Sequence, residues 1–134
     1  MKEIKTVIAN LFNTPSNTHL LEELENQVVS SSEPAEELIA VLVKAAQRAL
    51  QAKQLELAHW FYRLALTKQP ENVELLAAMA QMLDEELWKG PEALETYRKV
   101  VALDPKNEEA ASRLEAIQRE ADNWEKILEK YVAE

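Results

Sequence analysis

The 134-residue chain carries two histidines, His19 and His59, and no cysteine. The missing thiols exclude disulfides, thiolate zinc sites and cysteine nucleophiles. No second histidine lies three to five residues from either one, no HExxH occurs, and neither sits among carboxylates at metal-ligand spacing. Each reads as a surface or core-edge histidine. Asp84-Glu85-Glu86 is the tightest acidic run. It lacks the alternate ligands and the glycine of a calcium loop, so it reads as a solvated face. Ser30-Ser31-Ser32 has capping potential but not the form of a nucleophile elbow. Paired carboxylates abound, yet none lies in an apolar setting that would separate an acid from a base. The one glycine, Gly90, excludes a glycine-rich phosphate loop. The expectation is a protein that is not an enzyme and needs no cofactor and no metal.

Charge and hydropathy narrow the partners. Fifteen Lys plus Arg against 24 Asp plus Glu give a net charge of −9, which disfavours free nucleic acid and anionic membranes. The longest apolar stretches fall short of the roughly 18 residues a membrane-spanning helix requires, so no membrane insertion is expected. Lys2 and Lys5 are separated by Glu3, Asn10 interrupts the following apolar run, and no small-residue cleavage site follows. That is a poor secretory signal, and a cytoplasmic location is the expectation.

The elements that would position any site are helical throughout. Ile4, Val7, Ile8, Leu11 and Phe12 form one helical face, ended by Asn13-Thr14-Pro15. Leu20, Leu21, Leu24 and Val28 mark a second helix, with Asn17 or Thr18 as its N-cap. Ser32 would cap a third, with Pro34 in its first turn, running to about Gln51. A fourth carries Leu55, Ala58, Tyr62, Ala65 and Leu66 to Pro70, and Asn72 would cap a fifth carrying Leu75, Leu76, Met79, Ala80 and Leu83. Gly90-Pro91 interrupts before a sixth that ends at Asp104-Pro105. No strand-type alternation is sustained, so the fold class is all-α, in helix pairs.

A period is superimposed on these helices. Leu42 and Leu76 are 34 residues apart; Ala58 and Ala93, Tyr62 and Tyr97, and Pro70 and Pro105 are each 35 apart. One unit reads Leu42-x2-Ala45-Ala46-x2-Ala49, then Ala58-x3-Tyr62, then Pro70; the next reads Leu76-x2-Met79-Ala80-x2-Leu83, then Ala93-x3-Tyr97, then Pro105. These residues resemble the tetratricopeptide repeat (TPR), a helix–turn–helix unit of about 34 residues. The resemblance covers about residues 39–120 and implies a TPR-like solenoid of about three helix pairs with a long C-terminal helix. It implies a single helical-repeat domain over 1–134. Residues 1–33 would be an N-terminal cap or degenerate repeat, 39–72 and 73–107 two repeats, and 108–133 a capping or extension helix. One extra residue falls between Leu83 and Ala93, in the Trp88-Lys89-Gly90-Pro91 turn.

In such a stack the first helix of each pair lines a concave groove. Here that face is Val43, Gln47 and Leu50, repeated as Ala77, Gln81 and Asp84, then Ser112, Ala116 and Arg119. The resemblance implies that another protein, as a peptide or helix, binds there. The residues with which some members clamp a terminal carboxylate are missing, with Val43 and Ala77 in key places.

The last helix outgrows its repeat. Leu114, Ile117, Ala121, Trp124, Leu128 and Tyr131 are spaced 3, 4, 3, 4, 3, a heptad-like seam. Three readings stand: Asp122 with Glu125 caps a new helix that folds back, the long helix pairs with its copy in a homodimer, or it meets a different partner. The leading expectation is a non-catalytic protein–protein interaction module, an adaptor or assembly factor. A self-associating structural protein and an escort chaperone for a secreted or membrane client are the alternatives.

Overall fold

A computed structural model describes residues 1–87 and 89–132. They form seven helices and, among the described residues, no strand: α1 (Lys2–Asn13), α2 (Thr18–Ser30), α3 (Ala35–Gln51), α4 (Leu55–Lys68), α5 (Val73–Glu85), α6 (Gly90–Leu103) and α7 (Glu108–Val132). The chain gathers into two compact units, Met1–Leu75 and Leu76–Glu134.

In the first unit α1 pairs with α2 and α3 with α4, while α1 also meets α3 and α2 meets α4. Two hairpins therefore lie first helix on first helix and second on second. Their faces are cut by the apolar spacing. Leu11, Leu24, Val28, Leu38, Leu42 and Phe61 are fully buried, and Ala46, Ala49, Ala58 and Ala65 are too. These alanines belong to α3 and α4, which pack on each other, and a larger side chain at so enclosed a position would overpack. Phe12 meets Phe61 with ring centroids 5.9 Å apart, and the Arg48 guanidinium lies 5.2 Å from the centre of the Phe12 ring. Gln54 Nε2 donates to the Phe12 carbonyl at 3.1 Å, and Lys68 Nζ to that of Val29 at 3.2 Å.

One turn is built three times. At Thr14-Pro15-Ser16-Asn17, Gln69-Pro70-Glu71-Asn72 and Asp104-Pro105-Lys106-Asn107 the helix stops on a residue with φ near −137° (−136°, −139° and −137°). The Asn N–H then donates to that residue's carbonyl, at 3.0, 3.1 and 3.1 Å. Each Asn Oδ1 accepts the N–H three residues on, from Leu20, Leu75 and Ala110, at 3.2, 3.1 and 3.0 Å. Proline cannot continue the helix before it, and asparagine satisfies an orphan donor of the helix after it.

The α3–α4 turn uses another device. Lys53 has φ 62°, Lys53 N–H donates to Leu50 O at 3.1 Å and Gln54 N–H to Ala49 O at 2.9 Å. That is a Schellman closure, with lysine where glycine is usual.

Three local expectations are corrected. Ser32 does not cap α3, and Pro34 lies just outside its first turn: Pro34 is the N-cap, its ψ of 134° keeping it extended, and no side chain caps the helix. Gly90 and Pro91 do not interrupt; they open α6, because a proline lacking its N–H loses nothing in a first turn. Residues 86, 87 and 89 are the non-helical ones before it, and Trp88 lies outside the described residues. Asp122 starts no new helix; it accepts from Gln118 Nε2 at 3.2 Å within an unbroken α7. Ala133 also lies outside the described residues.

Candidate functional site

The repeat-related positions match in burial. Ala58 and Ala93 are fully enclosed, as are Ala65 and Val100, and Tyr62 and Tyr97 are both buried. Burial pushes the phenol of Tyr62 above its ordinary value. Tyr97 is pushed up to about 12, by burial first and then by the Asp84 carboxylate, with the Arg113 guanidinium opposing. Where Phe61 fills the first unit, Thr96 stands 35 residues on, its hydroxyl donating to the Glu92 carbonyl at 2.7 Å.

The expected groove residues divide between the units. On α3, Val43 and Leu50 are half-buried and Gln47 is exposed between them. In the second unit Ala77, Asp84 and Ala116 are half-buried, and Gln81, Ser112 and Arg119 are exposed. Asp84 is already engaged. Its Oδ2 accepts from Arg113 Nη2 at 2.7 Å and Nε at 2.8 Å, tying α7 to the end of α5. That forked bond to Asp84 raises the Arg113 pKa. Gln81 Nε2 donates to Glu85 Oε2 at 3.3 Å. Sequence reasoning missed Arg113, whose signal is a basic residue 29 positions beyond an acidic one.

The seam on α7 splits. Ile117 is buried and Leu114 half-buried, on the stretch of α7 that packs against α6. Farther on, Trp124 is 63% exposed, Leu128 58% and Tyr131 75%. At 1.5 Å per residue the 25-residue helix is about 38 Å long. Over its last three turns Trp124, Leu128, Tyr131 and Val132 stand in water, while Ile127 is half-buried. An open, mostly apolar depression of about 480 Å³ lies at the root of this extension, lined by Arg98 of α6 and by Leu114, Glu115, Gln118 and Arg119 of α7. Arg98 Nη2 donates to Gln118 Oε1 at 3.1 Å across one side of it.

Other chemistry finds little footing. His19 is exposed, and His59 is half-buried and engaged. Among the described residues no group of three or more His, Asp or Glu side chains converges on a metal site, and no helix is long and apolar enough to cross a membrane. No protein-family model matches the chain, and no curated protein matches it.

Proposed function

We propose that this chain is a TPR-like, non-catalytic protein–protein interaction module whose working surface is the distal face of α7. The observation that carries the reading is the exposure of Trp124, Leu128 and Tyr131 on one side of an unbroken helix. Burying each is worth roughly 1.5–3 kcal/mol, so an apolar row of this kind marks a docking surface more than a solvated end. The repeat reading draws support from the like-on-like stacking of the first unit's hairpins and from the matched burial of Tyr62 and Tyr97. The pKa shifts of Tyr62, Tyr97 and Arg113 are accounted for by burial and by the Arg113–Asp84 bond, with no catalytic poise implied.

A second surface, the α3 strip of Val43, Gln47 and Leu50, is favoured by two half-exposed aliphatic side chains around an exposed amide. Cross-linking in cells with the tagged chain separates the two. The α7 reading expects cross-linked species that vanish when Leu128 and Tyr131 become glutamate and persist when Val43 and Leu50 do. The reverse pattern moves the site to α3. Unchanged species in both variants contradict the proposal.

A further inference from the structure

We infer that the occupant of the distal α7 face is an amphipathic helix of another protein, its apolar stripe bordered by lysine or arginine. The inference rests on the reading of that face as a docking surface and names the chemistry of its partner.

The face is uncovered beyond residue 120. Trp124, Leu128, Tyr131 and Val132 are each more than half exposed, and Ala121 is exposed before them. Steps of three and four residues join these positions, so they share one side of the helix. That is the spacing by which one helix is held against another. The row also continues the line of Ala110 and Ile117, which are buried on the stretch of α7 that packs against α6. A helix laid on the row therefore extends a packing surface that α7 already uses.

Charge around the row is sorted by sign. Glu120 stands one turn before Trp124, and Glu125 three residues before Leu128, so exposed glutamates border the apolar side chains on both flanks. The basic residues of this segment are on the far side. Lys126 is two residues from both Trp124 and Leu128, and Lys130 two from Leu128, which at 100° per residue sets them about half a turn away. Arg119, seven residues before Lys126, follows the same distant line. Arg113 does lie on the row's own line, seven before Glu120, but its forked bond goes to Asp84. Glu85 and Glu86, exposed after Asp84, add the same sign at that corner.

An apolar stripe between glutamates is complementary to one between lysines or arginines, because flanking charges set partner choice in paired helices. A second copy would set the glutamate borders against each other, and a net charge of −9 on each chain adds repulsion at longer range. A basic helix is favoured on both counts.

The probes are four fluorescein-labelled helical peptides of about 18 residues, titrated against the purified full chain by fluorescence anisotropy. Three share one leucine stripe and carry lysine, glutamine or glutamate flanks. The fourth keeps the lysines and has glutamine in place of leucine. The lysine-flanked leucine peptide should bind at least ~10-fold tighter than the glutamate-flanked one, by a margin that shrinks in high salt. W124A with L128A should remove its binding. E120K with E125K should reverse the order of the flanks, whereas the charge-matched E22K with E25K, on α2, should keep it. Helical circular dichroism checks that each variant is folded. Equal affinity for lysine and glutamate flanks, or an order that E120K with E125K leaves unchanged, overturns the basic partner. Equal binding of the leucine-free lysine peptide overturns the apolar stripe. If no peptide binds while the α7-dependent cross-links in cells persist, this partner chemistry is overturned and the docking face stands. Cross-links that do not depend on α7 remove the face itself.

Discussion

Asp84 Oδ2 accepts two bonds from Arg113, 2.7 Å from Nη2 and 2.8 Å from Nε, joining α7 to the end of α5 across 29 residues of sequence. The arginine side chain is 45% exposed, so solvent screens most of the attraction and the pair is worth about 0.5–1 kcal/mol. Arg113→Ala should lower the unfolding free energy obtained from a urea titration by about 0.5–1 kcal/mol, with the difference shrinking in high salt. Asp84→Ala should cost slightly less, since it leaves Arg113, 45% exposed, where water can solvate it, whereas removing Arg113 strands a carboxylate only 13% exposed.

Alkaline pH should find the same corner. Tyr97 is pushed up to about 12 in the folded chain from an ordinary 10, chiefly by burial. A group whose folded pKa is raised holds its proton more tightly in the native state. The stability it contributes is therefore complete below pH 10 and lost as pH rises through 10 to 12. Tyr97→Phe should flatten that decline in a urea series taken across these pH values. Tyr62, raised by burial as well, should account for a further part of the slope.

The chain's backbone needs and its glycine are in different places. Lys53 occupies the left-handed region at φ 62°, a conformation that costs a side-chain-bearing residue roughly 1–2 kcal/mol. Lys53→Gly should stabilise the fold by about 1 kcal/mol, part of the relief being offset by glycine's greater freedom when unfolded. Gly90 lies in the first turn of α6, and a Cβ there meets nothing within 4 Å. Gly90→Ala should add about 0.5–1 kcal/mol. Thermal denaturation of each single variant and the double variant checks both values and their additivity.

The Pro-x-Asn turns make a fourth prediction. Asn17, Asn72 and Asn107 each accept the N–H three residues on. Alanine at any one should cost about 1 kcal/mol in chemical denaturation, and aspartate much less, because its carboxylate can accept the same bond.

Helix existence was legible because apolar residues recur at helical spacing and because proline and asparagine punctuate the runs. Asn17 and Asn72 are visible as caps by type alone. Recurrence of the full turn at Thr14, Gln69 and Asp104 is harder to see, since it shares only proline and asparagine three times over. Gly90-Pro91 misleads because the pair signals a break by composition, while a first helical turn tolerates both residues. The seam on α7 was readable as a period, but its division was not. Ile117 is enclosed and Trp124 exposed at positions the pattern treats alike, because burial depends on how far α6 extends beside α7. Asp84 was expected to line a groove; its long-range bond to Arg113 has no local sequence signature.

The most direct test of the α7 surface is amide hydrogen exchange over residues 121–132. A projecting helix of about a dozen residues is marginal in water and should exchange fast when nothing covers it. Fast exchange is expected in the free chain and slow exchange in the complex captured by cross-linking, with Trp124→Ala plus Leu128→Ala abolishing the difference. Equal exchange in the free chain and in the complex would contradict the reading of α7 as a docking face.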